Sequence, residues 1–128
     1  MPRYRHPDAL DNGIAYIRAN ANKLALISNY TIGDSYATVT AAILAEATIT
    51  TADMTLGSSG NNRTLTIAGK TDPAANAGGG GVNSHVALLD TVNSKVLEVT
   101  EEDASQTIVL GNPVNIGGFV ITALQPTA

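Results

Sequence analysis

Two apolar runs separated by a short polar connector dominate the hydrophobic pattern of this chain. They are Ser84-His85-Val86-Ala87-Leu88-Leu89-Asp90 and Lys95-Val96-Leu97-Glu98-Val99-Thr100, joined by Thr91-Val92-Asn93-Ser94. Their lengths suit strands, and Asp, Asn and Ser suit a turn. So few connecting residues allow only antiparallel pairing, so the pattern predicts a hairpin at the centre of the fold. Arg63-Thr64-Leu65-Thr66-Ile67-Ala68 alternates strictly and predicts a half-buried strand with Leu65 and Ile67 inward. Leu24 to Ser28, Thr48 to Thr51, Ser105 to Leu110 and Phe119 to Leu124 read as further strands, with Val114 to Ile116 continuing an edge. Both faces of the last run carry apolar residues, which predicts a strand that is central or covered on both sides. Between these lie predicted irregular segments. Tyr36 to Ala47 is ambiguous: Thr38-Val39-Thr40 looks extended and Ala41 to Ala47 has helix-forming composition. Thr55 to Asn62 reads as a loop. Gly69 to Asn83, with four glycines at 78–81, reads as a long loop that is mobile or pinned by a neighbour.

At the N-terminus the period changes. Leu10, Ile14, Ile17 and Ala21 recur at helical spacing, with Asp8 placed as N-cap. Asn12-Gly13 opposes this, because the pair is a turn signal and Gly costs about 1 kcal/mol inside a helix. So short a helix is marginal alone and must lie on its own sheet or on a partner. Residues 1–7, with two prolines, read as an extended arm. The expected fold is mainly β: an antiparallel β-sandwich or small barrel of about seven strands with an N-terminal arm and one short N-terminal α-helix. The arm and helix occupy 1–23 and the β-domain 24–128, within one structural domain of 128 residues. There is no internal repeat.

Composition sharpens this picture. Aromatic residues are only 4% and Trp is absent, so the core must be filled by Val, Ile, Leu and Ala. Charged residues are 14%, against a usual quarter, and Thr, Asn, Ser and Gly supply the polarity instead. A net charge of −4 argues against nucleic-acid binding, which needs clustered Lys and Arg. No run approaches the roughly 20 apolar residues of a membrane span, and the N-terminus lacks a signal peptide's apolar core, so neither membrane insertion nor export is expected. With no Cys, disulfides and thiolate metal sites are excluded. The charges are segregated. Arg3, Arg5, Arg18 and Lys23 lie in the first 23 residues, whereas Asp90, Glu98, Glu101, Glu102 and Asp103 cluster within 90–103. A basic arm on an acidic body suggests that the arm docks on something acidic.

Candidate chemistry is thin. Gly69-Lys70-Thr71 matches only the end of a phosphate-binding loop: Thr64 stands where the first glycine belongs, and proline and glycine follow where a helix is required. His85 and His6, distant and without Cys, make a poor zinc site. Glu98 with Glu101, or Glu102 with Asp103, offers a carboxylate pair with no aromatic platform for sugar beside it. Glu101-Glu102-Asp103 has the oxygen ligands that calcium prefers. Asn29-Tyr30-Thr31 and Asn62-Arg63-Thr64 fit the glycosylation pattern, which means little without export. No nucleophile, base and metal set can be named, so an enzyme is not expected, nor a cofactor.

Three blocks carry a family resemblance. Leu10-Asp11-Asn12-Gly13-Ile14-Ala15-Tyr16-Ile17-Arg18-Ala19-Asn20-Ala21 resembles the opening of a family of small tailed-bacteriophage virion structural proteins. The 84–100 hairpin resembles its central block, and Val114-Asn115-Ile116 with Ile121 its closing strand. The family carries no functional residues to transfer. A small, β-rich, low-charge domain with a basic arm is also similar to capsid cement or decoration proteins, which sit as trimers over capsomer junctions. The resemblance implies a partner in the major capsid protein, self-association as a homotrimer, and a place on the capsid surface of the virion after synthesis in the host cytoplasm. Arg3, Tyr4, Arg5, His6, Leu10, Ile14, Ile17 and Arg18 would contact the partner. The alternatives are a tail, fibre or baseplate adaptor, and a glycan-binding module using loops 57–62 and 72–83.

Overall fold

The computed structural model describes residues 4–5, 7–59, 62–80, 84–102 and 106–123, with the backbone alone at 4–5, 7–12, 62 and 80. In chain order the first elements are β1 (Tyr4–Arg5), α1 (Pro7–Asn20), β2 (Lys23–Ile27), α2 (Tyr36–Ala41), β3 (Ile43–Thr48), a 3-10 turn (Thr51–Asp53) and β4 (Met54–Ser59). There follow β5 (Asn62–Ile67), β6 (Lys70–Asp72), β7 (Gly79–Gly80), β8 (His85–Asp90), β9 (Lys95–Glu101), β10 (Thr107–Ile108), β11 (Val114–Ile116) and β12 (Phe119–Ala123). The fold is mainly β, every strand pair is antiparallel, and a helix lies near the N-terminus.

The predicted hairpin is β8–β9, and it is central. Five strands run in the order β1-β9-β8-β2-β3. Asp90 makes the turn: its Oδ1 accepts from the backbone N–H groups of Val92 and Asn93 at 3.1 Å, and its Oδ2 accepts from the Asn93 amide at 2.8 Å. An Asp that supplies these acceptors replaces backbone pairing where the chain reverses. β2 and β8 are near-continuous apolar runs because both faces of the sheet are covered. On one face Leu24, Leu26, Val86 and Leu88 meet α1 and the strands β4, β5, β11 and β12. On the other, Ala25, Ile27, Ala87 and Leu89 meet Tyr30, α2 and its Val39. The largest fully buried side chains are Ile, Leu and one Met, each contributing roughly 1.5–3 kcal/mol, so number replaces aromatic bulk.

β4, β5 and β12 form a second, three-stranded sheet. Leu65 and Ile67 point inward as the alternation of β5 predicted. β6 pairs with β11 beyond it, and one register runs through both ladders: Ile67 lies opposite Phe119 and Lys70 opposite Ile116. The two segments 62–72 and 114–123 therefore make one antiparallel ribbon bent at Gly69 and Gly117-Gly118. Glycines at the corner allow the backbones to touch. The ribbon, folded over the five-stranded sheet, gives a sandwich-like arrangement around a shared core.

Several local expectations are corrected. The 36–47 segment is inverted: residues 36–41 are helical and 43–48 extended. Ser35 starts α2 by accepting from Thr38 N–H at 3.2 Å. The Ala-rich stretch after it is drawn into the sheet by pairing with β2, which overrides its weak helix preference. A second helix thus joins the one expected. The strand expected at 48–51 gives way to the end of β3 and the 3-10 turn. Asp53 holds that turn: its Oδ2 accepts from Thr50 N–H at 2.9 Å and its Oδ1 meets Lys70 Nζ at 3.0 Å. The Thr50 hydrogen bond, then Lys70, keeps its carboxyl below the usual carboxylate range. Residues 55–59 of the loop expected at 55–62 belong to β4, because β5 pairs along their whole length.

The expected long loop 69–83 is largely built into the body where it is described. Besides β6, it contains β7, paired with β10. Asp72, only 6% exposed, accepts from Glu46 N–H at 2.9 Å and Ala74 N–H at 3.0 Å. Asn76 and Ala77 donate backbone N–H groups to Leu44 O. These contacts cover the outer edge of β3, which would otherwise offer an open template for pairing. β12 is an edge strand rather than a central one, with Val120 52% exposed. Among the described residues there are twelve strands where about seven were expected, because the fold uses two- and three-residue pairings that no local pattern signals.

Candidate functional site

The residues expected to contact a partner are placed as follows. Arg3 and His6 lie outside the described residues, as does Asp103 of the calcium candidate. Tyr4 and Arg5 form β1 on the edge of β9, opposite Val99 and Glu98. Leu10 lies in the first half of α1, which begins at Pro7 rather than after a cap at Asp8. At Gly13 the helix kinks, with φ 71° and ψ −165°. That left-handed φ suits glycine, so the Asn12-Gly13 turn signal and the helical period are both expressed. Ile14 is 8% exposed and Ile17 fully buried, and both pack in the chain's own core. The second half of α1 thus rests on its own sheets, the alternative to a partner. Arg18 donates from Nε to Met54 O at 2.9 Å and from its guanidinium to Thr51 O at 3.3 Å.

A concave feature of the surface lies elsewhere. A cleft of about 520 Å³ opens where β9 ends, within the size range of ligand sites. Glu101 and Glu102 line one side, Val86, Phe119 and Val120 form apolar walls, and Gly117-Gly118 leaves one wall without side chains. Glu102 is held by backbone and side chain together. Its N–H donates to Ser84 O at 3.1 Å, and Gln106 Nε2 donates to its Oε2 at 2.5 Å and to Asn115 O at 2.9 Å. Oε1 of Glu101 and Oε1 of Glu102 are shielded from solvent and have no hydrogen-bond partner among the described residues. Burial raises the Glu102 carboxyl above its ordinary value, against the hydrogen bond from Gln106. No cationic side chain is among the residues that line the cleft.

Sequence reasoning singled out Glu101 and Glu102 but not this cleft, whose walls come from β8, β9, β11 and β12. Among the described residues no group of three or more His, Cys, Asp or Glu is gathered to hold a metal. His85 is 6% exposed and packs in the sheet with its ring centroid 6.1 Å from that of Tyr30. No described helix is long and apolar enough to cross a membrane. The chain matches no known family model, no curated protein and no solved structure.

Proposed function

We propose that this chain is a structural protein of a tailed-bacteriophage virion, a capsid cement or decoration protein that binds the shell of the major capsid protein and stabilises it. The observation that carries the reading is the outward face of the β4-β5-β12 sheet. The register places Thr55, Thr66 and Val120 in one row across it, and Gly57, Thr64 and Thr122 in the next. None of these six is charged. A wholly solvated face ordinarily carries charge, whereas the centre of an interface is depleted of it. The three sequence blocks that resemble the phage family support the same reading. On a shell this face would lie against capsid protein or against a sister subunit of a homotrimer, and many copies would make weak single contacts sufficient.

Purified protein mixed with gene-matched shells lacking it should co-sediment to saturation. Thr66→Arg, at an exposed position, should reduce loading while leaving the circular dichroism spectrum unchanged. A strict monomer that stays in the supernatant overturns the proposal. A tail or baseplate adaptor is separated by copy number, since an adaptor is present in a handful of copies.

A further inference from the structure

We infer that the open edge of β4 pairs with the β4 edge of a second copy of this chain, antiparallel across a two-fold axis at Gly57, so that two three-stranded sheets become one of six strands. The inference does not rest on the virion reading, and it names a two-fold contact where a homotrimer needs a three-fold one.

Among the described residues β4 pairs with β5 alone, which leaves its other edge open. The start of the strand shows which backbone groups point outward. Asp53 O accepts from Ala68 N–H at 2.9 Å, on the β5 side, whereas Met54 O accepts from Arg18 Nε at 2.9 Å. Successive residues of a strand turn their N–H and C=O groups to opposite sides, so those of Met54, Leu56 and Ser58 face away from β5. Met54 is already satisfied, because its N–H donates to Thr51 O and Arg18 holds its carbonyl. Leu56 and Ser58 remain. Natural edges are commonly guarded by charge or proline, and Met54–Ser59 has neither. Leu56 adds an apolar reason for cover. It shares the inward row with Leu65 and Ile121, which are 0% and 2% exposed, yet it is itself 40% exposed at the open margin of the core.

The occupant is another copy because the free groups match themselves. Antiparallel pairing centred on Gly57 sets Leu56 opposite Ser58 of the second copy, and Ser58 opposite its Leu56. Both are hydrogen-bonded pairs, so every free group of Leu56 and Ser58 is used. Centring on Leu56 would instead set Ser58 against Met54, whose groups are taken. At the axis Gly57 meets Gly57 of the second copy, and with no side chain on either the backbones can approach closely. Leu56 lies diagonal to Leu56 of the second copy, within reach of a long side chain on the same face. Charge does not oppose the pairing. Arg63 is the one charged residue of β4 and β5, and three strand spacings, roughly 14 Å, separate it from its counterpart. That exceeds the Debye length of about 10 Å at 0.1 M salt. So short a contact falls below the roughly 1,200 Å² of a standard interface, so the pair is weak and fills only as concentration rises.

The test is analytical ultracentrifugation of the full chain from about 1 μM to about 1 mM, where a monomer should give way to a dimer. Ser58→Pro deletes an outward N–H, a change that an edge strand tolerates, and should weaken the dimer about tenfold or more. Leu56→Lys, which puts a charge on the edge at an exposed position, should do the same, and circular dichroism should show both variants folded. Thr66→Arg, on the outward face used in the virion reading, should leave the dimer intact. The chain has no Cys, so one introduced Cys reports the register. Gly57→Cys should form a disulfide-linked dimer on mild oxidation, whereas Thr55→Cys, roughly 14 Å from its counterpart in this register, should not. A monomer at the highest concentration, or a trimer, overturns the inference. So does a dimer that survives Leu56→Lys or is lost with Thr66→Arg, and so does equal linking of the two Cys variants.

Discussion

Two adjacent glycines should respond to the same substitution with opposite signs. At the bend of the ribbon, a Cβ on Gly118 would lie 2.7 Å from Gly69 N and 3.0 Å from Ala68 C, and closer still to Ile67 O. All three are backbone atoms in the opposing segment, so no side chain can swing aside. Reaching ordinary van der Waals distance requires the segments to part by roughly 1 Å. That movement disturbs β5–β12 pairing on one side of the corner and β6–β11 pairing on the other. Overpacking costs typically 1–3 kcal/mol, and a clash against backbone in a continuous ladder belongs at the top of that range or above. Gly118→Ala should therefore destabilise by about 3 kcal/mol or more. With a urea slope of about 1.5 kcal/mol/M, the unfolding midpoint falls by about 2 M. A Cβ on Gly117 meets nothing within 4 Å, and its φ is not left-handed. Gly117→Ala mainly restricts the unfolded chain and should stabilise by about 0.4–1 kcal/mol, raising the midpoint by about 0.5 M. Urea titrations followed by circular dichroism read both. Equal midpoints for the two variants would refute the bent-ribbon geometry.

Asp72→Ala removes the acceptor for the backbone N–H groups of Glu46, on the edge of β3, and of Ala74, just after β6, and should cost about 3 kcal/mol by urea unfolding, while Asp72→Asn, which keeps one carbonyl acceptor, should cost clearly less. Ser35→Ala removes the cap of α2 and should cost about 1 kcal/mol in the same assay, with no change if the helix is held by packing alone. Glu102 holds its proton to higher pH in the folded chain than in the unfolded one, because burial penalises its charge. Its contribution to stability therefore falls as pH rises from the ordinary glutamate value through the raised one. Glu102→Gln should gain on the wild type across that interval and hold a constant advantage above it; urea midpoints measured at a series of pH values would contradict this if the gap closed as pH rose.

The parts of the fold legible in the sequence share one property: their pattern is dictated locally. The 84–100 hairpin has a turn rich in Asp and Asn between apolar runs, β2 is continuously apolar, and β5 alternates without a break. The missed parts depend on distant partners. Lys70 pairs with Ile116, and Gly79 with Ile108, so nothing near residue 70 or 79 signals a strand. β4 is polar enough to read as loop, and only β5 makes it extended. The Ala-rich run at 41–47 suits either state until β2 decides it. Phe119 to Leu124 alternates between two apolar sets, yet Val120 faces outward on an edge, because an apolar residue is no guarantee of burial. The cleft was invisible for the same reason: Val86, Glu102, Asn115 and Phe119 come together only when the ribbon folds over the central sheet.

The proposed place in a virion has a direct test in whatever phage particles the genome that encodes this chain produces. Quantitative mass spectrometry of purified virions, against the major capsid protein as internal standard, gives its copy number. A capsid decoration protein should be present in hundreds of copies, in a fixed ratio to the shell protein. Absence from the particle, or a handful of copies, would contradict that assignment.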